Sequence, residues 1–243
     1  MKNYITVFIL LLLCLNRLNA QNELPENRII VYDGTAVIFP AAWLGGKIKA
    51  KATAPDSAKM HTDTAAILEG MYKYPASLLE KELGNVYLVG RLRFSRQYFT
   101  GTNSEDDIYI GSDQNKDIEK TFHHEFSSIL LRNHGDMMLE AKWKEISPEL
   151  LSGSSAAAVR EGLYSVAFDP KLLEKGYLSP YSLSNWENDF NMYAENIFAG
   201  GAAFWKLADS YPKVMAKVKL VIQFYAKQLW NGFTESYFRF AAE

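Results

Sequence analysis

The stretch Ile118-Glu-Lys-Thr-Phe-His-His-Glu-Phe-Ser-Ser-Ile-Leu-Leu131 decides the fold predicted for this chain. Apolar residues recur along it at intervals of three and four, which is the spacing of one buried face of an α-helix. The members of this face are Ile118, Phe122, Phe126, Ile129 and Leu130. With Ser112 or Asp113 as a cap and Gly135 as the end, the sequence predicts one long, central helix from Asp113 to Asn133.

The polar residues of the same helix carry a recognisable but incomplete motif. A zinc hydrolase helix uses His-Glu-x-x-His, because side chains four residues apart share one face and can bind one metal, while the glutamate activates the metal-bound water. His124 and Glu125 fill the first two positions, but Ser128 stands where the second histidine is required. Moving the motif back by one residue does not supply the histidine, because Ser127 lies four residues after His123. The motif therefore predicts a zinc site that lacks one ligand.

His134 is the third histidine of this region. It lies ten residues after His124, the spacing of a third ligand in the metzincin pattern, but that pattern needs a glycine where this chain has Leu131. We therefore expect the helix to continue and to carry His134 past the site.

The remaining pattern predicts an α+β fold with its sheet in the first half of the chain. Predicted strands cover 28–32, 86–94 and 107–111, the last near a sheet edge, and 97–106 is a polar loop. Predicted helices cover 62–74, capped by Thr62 or Asp63, then 76–83, 186–198 and 212–230, and 152–158 is a small-residue loop.

Several short motifs, taken in order, resemble the exported zinc-binding metallopeptidases of the gluzincin type. The resemblance spans about Thr62 to Tyr225 and rests on Tyr72-Lys-Tyr-Pro75, Ile108-Tyr-Ile110, His123-His-Glu-Phe126, Leu139 to Pro148, Gly176 to Tyr181, and Asn188-Asp-Phe190. It implies a zincin-like fold, with a small N-terminal mixed sheet, a central active-site helix and a helical C-terminal half.

The resemblance also implies roles for individual residues. His124 would bind zinc, with His123 as a substitute ligand, Glu125 would act as general base, and Tyr181 would stabilise the oxyanion. The family's third ligand is a glutamate on the later helix, at a position near Asn188 in this chain. Asp189 and Glu195 are the acidic candidates there. Because they are six residues apart on one helix, we expect only one of them to reach His124. We expect it to be Glu195, because its side chain is longer and Asp189 lies where the helix needs a cap.

The N-terminus has the pattern of a secretory signal peptide. Lys2 precedes an apolar core, Ile5 to Leu15, and Ala20 is a small residue suited to cleavage. We predict a signal peptide at 1–20 and a single domain at 21–243. Lipid attachment at Cys14 is the less favoured alternative, because Leu13 before it is not small. After cleavage at Ala20 no cysteine would remain, which excludes disulfides and thiolate metal ligands.

Charge and composition limit the classes of partner that we expect this protein to bind. The formal net charge is −2 and no basic stripe is present, which argues against a nucleic-acid partner. The apolar core of the signal is too short for a permanent membrane span, so we expect a protein exported to the periplasm, cell surface or medium, with a peptide or protein as ligand. The sequence predicts a metallopeptidase-like protein with a weakened or lost zinc site. The alternatives are an active hydrolase with altered ligands and a non-catalytic binding or accessory protein.

Overall fold

The computed structural model describes residues 26–148 and 162–241. The predicted signal peptide at 1–20 and the predicted loop at 152–158 lie outside the described residues. The described chain is mixed α and β, consistent with the predicted α+β class.

Ten α-helices are described, and the later half of the chain contains helices without strands in these residues. They are α1 (Ala41–Leu44), α2 (Ser57–Tyr72), α3 (Ala76–Glu82), α4 (Ile118–His134), α5 (Met137–Ile146), α6 (Pro170–Leu173), α7 (Trp186–Ala199), α8 (Gly201–Ser210), α9 (Pro212–Phe224) and α10 (Glu235–Ala241). A 3-10 turn, Pro180–Leu183, precedes α7, and a π-helical turn, Tyr225–Leu229, follows α9.

Seven short strands form two small sheets. They are β1 (Ile29–Val31), β2 (Lys51–Ala52), β3 (Val86–Val89), β4 (Leu92–Phe94), β5 (Gln97–Phe99), β6 (Gly101–Asn103) and β7 (Ile108–Gly111). The first sheet has the order β1-β3-β7-β6; β1, β3 and β7 are parallel and β6 is antiparallel to β7. The second sheet, β2-β4-β5, is antiparallel. The predicted mixed sheet is confirmed, with β6 at its edge.

The predicted single strand at 86–94 is wrong, because the chain changes sheets in its middle. Gly90 donates its N–H to the carbonyl of Thr53 at 2.7 Å, and a Cβ at Gly90 would lie 2.3 Å from the carbonyl oxygen of Ala54. Only a residue without a side chain allows this close approach, so the strand breaks there into β3 and β4.

Two further strand predictions are wrong. The supposed polar loop at 97–106 contains β5 and β6, because backbone pairing with β4 and β7 does not require apolar side chains on both faces. The strand β7 is interior rather than near an edge, since β3 and β6 flank it and all four of its residues are buried.

The central helix α4 is confirmed, but it begins later than predicted. The side chain of Asp117 accepts a hydrogen bond from the N–H of Lys120, and Gln114 adopts a left-handed φ of 65° that a helix starting at Asp113 cannot contain. Likewise α2 begins earlier than predicted, because Asp56 caps it. Gly135 ends α4, and Phe122, Phe126, Ile129 and Leu130 are completely buried, as predicted.

The helix α7 packs against α4 and provides the other side of the site. Asn185 caps it by accepting from the N–H of Asn188, and Gly200 ends it. Eleven of its fourteen residues are buried, so α7 is an internal helix with little freedom to shift. No helix in the described part of the chain is both long and apolar enough to cross a membrane.

Candidate functional site

A cleft of about 930 Å³ opens between α4, α7, the turn before α7 and the edge strand β6. One wall is aromatic and carries exposed cations at its mouth, whereas the floor is polar. The lining includes Trp43, Lys47, Phe94, Arg96, Phe99, Gly101, Asn103, His124, Glu125, Ser128, Arg132, Tyr181, Asn185, Glu187, Asn188 and Asn191. The predicted catalytic residues Glu125 and Tyr181 and the predicted ligand His124 therefore line one cavity.

His124 lines the cleft and contacts Glu195 of α7, which is not part of the lining. The distance between His124 Nδ1 and Glu195 Oε2 is 2.8 Å, and both side chains are almost fully buried. Burial lowers the pKa of His124, but the hydrogen bond and charge of Glu195, with Glu125 and Glu187 behind them, outweigh burial and raise it. The structure thus places Glu195, rather than Asp189, against His124.

Ser128 meets Glu187 one turn further along α4. Its hydroxyl donates a hydrogen bond to Glu187 Oε1, and Ser128 is buried. The position that a second zinc histidine would take is therefore occupied by a short donor that is already bonded to a carboxylate of α7. Two such pairs, His124 with Glu195 and Ser128 with Glu187, join the facing sides of α4 and α7.

Glu125 is held against the edge strand. Its Oε2 accepts a hydrogen bond from Asn103 Nδ2 at 2.6 Å, and a Cβ at Gly101 would lie 2.7 Å from its Oε1. Burial raises the pKa of Glu125; the charge of His124 and the bond from Asn103 oppose this, while Glu187 and Glu195 add to it. A carboxyl group with a raised pKa at a cleft floor is the electrostatic setting of a general acid or base.

Tyr181 lies beside His124, with 5.9 Å between the ring centroids. It is half-buried, in the 3-10 turn before α7. Asn188, near the position of the family's glutamate in the resemblance, lines the same cleft and donates its Nδ2 to Ser184 Oγ at 2.7 Å.

Three residues considered as ligands from the sequence lie outside the cleft. His123 is fully buried in the core, where it stacks on Phe198 with centroids 4.5 Å apart and contacts the Tyr74 hydroxyl at 3.0 Å. The adjacent positions of an α-helix point about 100° apart, so His123 cannot share the face of His124. Its predicted role as a substitute ligand is not supported by this placement.

Asp189 is also directed into the core. Its Oδ2 accepts from Lys217 Nζ at 2.5 Å and from Trp143 Nε1 at 2.7 Å, and the Asp189 and Lys217 side chains are completely buried. His134 is carried past the site by the continuing helix, as expected, and its Nε2 lies 2.9 Å from Glu82 Oε1.

The residues that the sequence analysis missed are Glu187, Asn191 and Asn103. Glu187, Asn191 and Glu195 are spaced at four-residue intervals on α7, so they lie on one side of the helix. That spacing was visible in the sequence. Asn103 had no such signal, because its position depends on the edge strand β6.

The side chains of this cleft do not fit a conventional zinc site. Zinc in hydrolases takes three protein ligands from histidine and carboxylate groups, and a serine hydroxyl is a poor substitute. In residues 26–148 and 162–241, no group of three or more His, Cys, Asp or Glu side chains is arranged to hold a metal ion. His124 and Glu195 provide two, and Ser128 and Asn188 occupy the places where others would be expected.

Comparison with known proteins supports the resemblance at the level of fold. Neither models of protein families nor curated proteins give a match. A solved structure does: a "putative zinc-binding metallo-peptidase" from Bacteroides caccae, with a TM-score of 0.58 and 13% identity, over 93% of this chain and 89% of that one. At this identity the likeness shows a similar fold and nothing of the chemistry.

Proposed function

We propose that this protein is a metallopeptidase-like binding protein, whose cleft holds a peptide segment without zinc-dependent hydrolysis. The observation that carries the proposal is the hydrogen bond from Ser128 to Glu187. At this position a neutral hydroxyl stands in place of a zinc-binding imidazole, and its proton is already donated to Glu187. The site keeps the cavity and the general-base position but not the ligand set.

A peptide is the ligand that the shape of the cleft favours. The strand β6 is at the edge of its sheet and its residues Gly101, Thr102 and Asn103 line the cavity. An edge strand offers unpaired backbone groups to an extended segment, which can add as a further strand. The volume of about 930 Å³ suits a few residues of such a segment.

Export is part of the same proposal. Lys2, the apolar run from Ile5 to Leu15 and Ala20 support a cleaved signal peptide at 1–20, followed by one domain at 21–243. Expression of the full chain in its natural host, with N-terminal sequencing of the product, tests this. A mature N-terminus at Gln21 is expected, and a lipid-modified product beginning at Cys14 would contradict it.

A second candidate function is a hydrolase that uses an altered metal site. The pairing of His124 with Glu195 favours it, because an imidazole and a carboxylate that meet across two helices are residue types that bind zinc together. Glu125 is also retained beside them. This alternative requires a further ligand, which the described residues do not supply in this cleft.

Peptide hydrolysis with added zinc distinguishes the two candidates. The mature protein is incubated with a mixture of peptides, alongside the Glu125→Gln variant as the matched control. We expect the wild type and the variant to leave the peptides equally intact. Chelator-sensitive cleavage that Glu125→Gln abolishes would contradict the proposal and would favour the altered hydrolase.

A further inference from the structure

The floor of the cleft has an excess of negative charge. Glu125 and Glu187 line the floor with His124, and Glu195, which is not part of the lining, contacts His124 at 2.8 Å. Two carboxyl groups and a histidine that already has a carboxylate partner therefore make the floor acidic. Glu125 accepts from Asn103 and Glu187 accepts from Ser128, each through one carboxylate oxygen, whereas Glu195 is engaged through both, by His124 and by Asn196. A carboxylate can accept about four hydrogen bonds, so Glu125 and Glu187 can accept more. The floor therefore offers further hydrogen-bond acceptors to a ligand.

Asn191 gives independent evidence that the floor of the cleft lacks a hydrogen-bond donor. It lies on α7 between Glu187 and Glu195, one helical turn from each, and it lines the cleft. Asn191 is 1% exposed, and its Oδ1 is buried with no hydrogen-bond partner among residues 26–148 and 162–241. An unpaired buried acceptor is unusual in a folded protein, so a ligand that donates a hydrogen bond at this place would remove the cost.

We propose that the floor at Glu187 and Asn191 binds the ammonium group of a lysine side chain from a bound peptide. This rests on the proposed peptide-binding function and names the residue that the cleft selects. An ammonium group has three donors and no acceptor, which complements the carboxylate of Glu187 and the unpaired amide oxygen of Asn191. A side chain without a hydrogen-bond donor would leave the Oδ1 of Asn191 unpaired.

The wall of the cleft fits the rest of such a side chain. Trp43 and Phe94 pack edge to face with centroids 5.7 Å apart, and Phe99 continues the same surface. The methylene groups of a lysine can lie along an apolar wall while the charged end reaches a polar floor.

The cations at the mouth of the cleft do not oppose this binding strongly. Lys47 and Arg96 are exposed, so solvent and salt screen their charge, whereas the floor carboxylates are buried or half-buried and are screened less. Arg132 donates to Asn103 Oδ1 and to the Ser104 carbonyl, both at 2.8 Å, which holds it on the edge strand.

Calorimetric titration with two matched peptides tests the inference. The probes are end-blocked Ala-Ala-Lys-Ala-Ala and the same peptide with norleucine, which has the same chain length without the charge. We expect the lysine peptide to bind at least about tenfold more tightly, since a charge-assisted hydrogen bond contributes that much. Glu187→Gln should reduce this preference to about threefold or less, because glutamine can still accept from Ser128 but carries no charge.

Glu174→Gln is the matched control, since Glu174 is exposed and outside the cleft lining, and it should keep the full preference. Equal affinity for the two peptides would overturn the lysine site and leave the peptide cleft standing. Failure of both peptides to bind would overturn the inference together with the peptide-binding part of the proposed function. A preference that persists undiminished in Glu187→Gln would also overturn the inference.

Discussion

At the scale of single residues, Gly101 and Glu125 depend on each other. A Cβ at Gly101 would lie 2.6 Å from Thr121 Cγ2 and 2.7 Å from Glu125 Oε1, distances at which the neighbouring groups must move. The glycine therefore allows α4 to approach the edge strand closely enough for Asn103 to reach Glu125.

We predict that Gly101→Ala lowers the free energy of unfolding by about 1–3 kcal/mol, the usual cost of overpacking. Urea denaturation measures this. Gly45→Ala is the control, because nothing lies within 4 Å of its Cβ position, and it should change the stability by less than about 0.5 kcal/mol. Equal stability of the two variants would show that the contact with Glu125 is not tight.

Glu82 gives a residue-scale prediction about pH. Burial raises its pKa, but hydrogen bonds from Lys81, Asn133 and His134 outweigh burial and lower the pKa from 4.5 to about 2. Because the pKa is lower in the folded protein, Glu82 stabilises the fold fully above pH 4.5, and this contribution is lost as the pH falls toward 2.

Glu82→Gln should therefore unfold more easily than the wild type at pH 5, and the difference should narrow at pH 3. Thermal or urea unfolding of both proteins at these two pH values checks it. A difference of the same size at both would contradict the assignment of these partners to Glu82.

The pairs in the cleft illustrate what the sequence could predict at this scale. His124 was identified from the motif, and Glu195 from helix spacing and side-chain length. The contact of Ser128 with Glu187 was not predicted. The motif shows only that Ser128 stands in place of a zinc-binding histidine, and it gives no information about which α7 residue faces Ser128. Single-sequence reasoning locates a helix face but not its rotation against a partner helix.

At the scale of elements, the buried pair of Asp189 and Lys217 holds α7 against α9. Both side chains have no exposed surface, and Lys217 Nζ lies 4.3 Å from the ring centroid of Tyr177 and 4.9 Å from that of Trp143. Burial raises the pKa of Asp189 and lowers that of Lys217, although each group opposes the shift of the other. The pair fixes the helix that carries Glu187, Asn191 and Glu195.

We predict that Lys217→Met destabilises the protein by about 3–5 kcal/mol, because it leaves the Asp189 carboxylate buried without its cation. The double variant with Asp189→Asn should lose less than the sum of the two single variants. A double-mutant cycle from urea denaturation measures the coupling. Additive losses would contradict the pairing.

The elements themselves were predictable to different degrees. The helix α4 was predictable because its apolar spacing extends over four turns. The two-sheet arrangement was not, because the break at Gly90 depends on a contact with Ala54, far away in sequence. The edge strand β6 was missed for a related reason: Gly101, Thr102 and Asn103 have no apolar pattern, and only their pairing with β7 defines them.

At the scale of the whole molecule, a similar fold does not imply similar chemistry. The fold resembles that of the Bacteroides caccae protein, while the facing sides of α4 and α7 are joined by His124 with Glu195 and Ser128 with Glu187. A fold does not determine a reaction; the side chains of the site do. We propose that here those side chains hold a donor-rich ligand rather than a metal.

The metal content of the mature protein tests this account most directly. After mild dialysis, we expect well below one zinc per chain in the wild type, and a gain of zinc in Ser128→His, which supplies the missing imidazole. His124→Ala is the control for bound zinc at this site. One zinc per wild-type chain that His124→Ala removes would contradict the central claim.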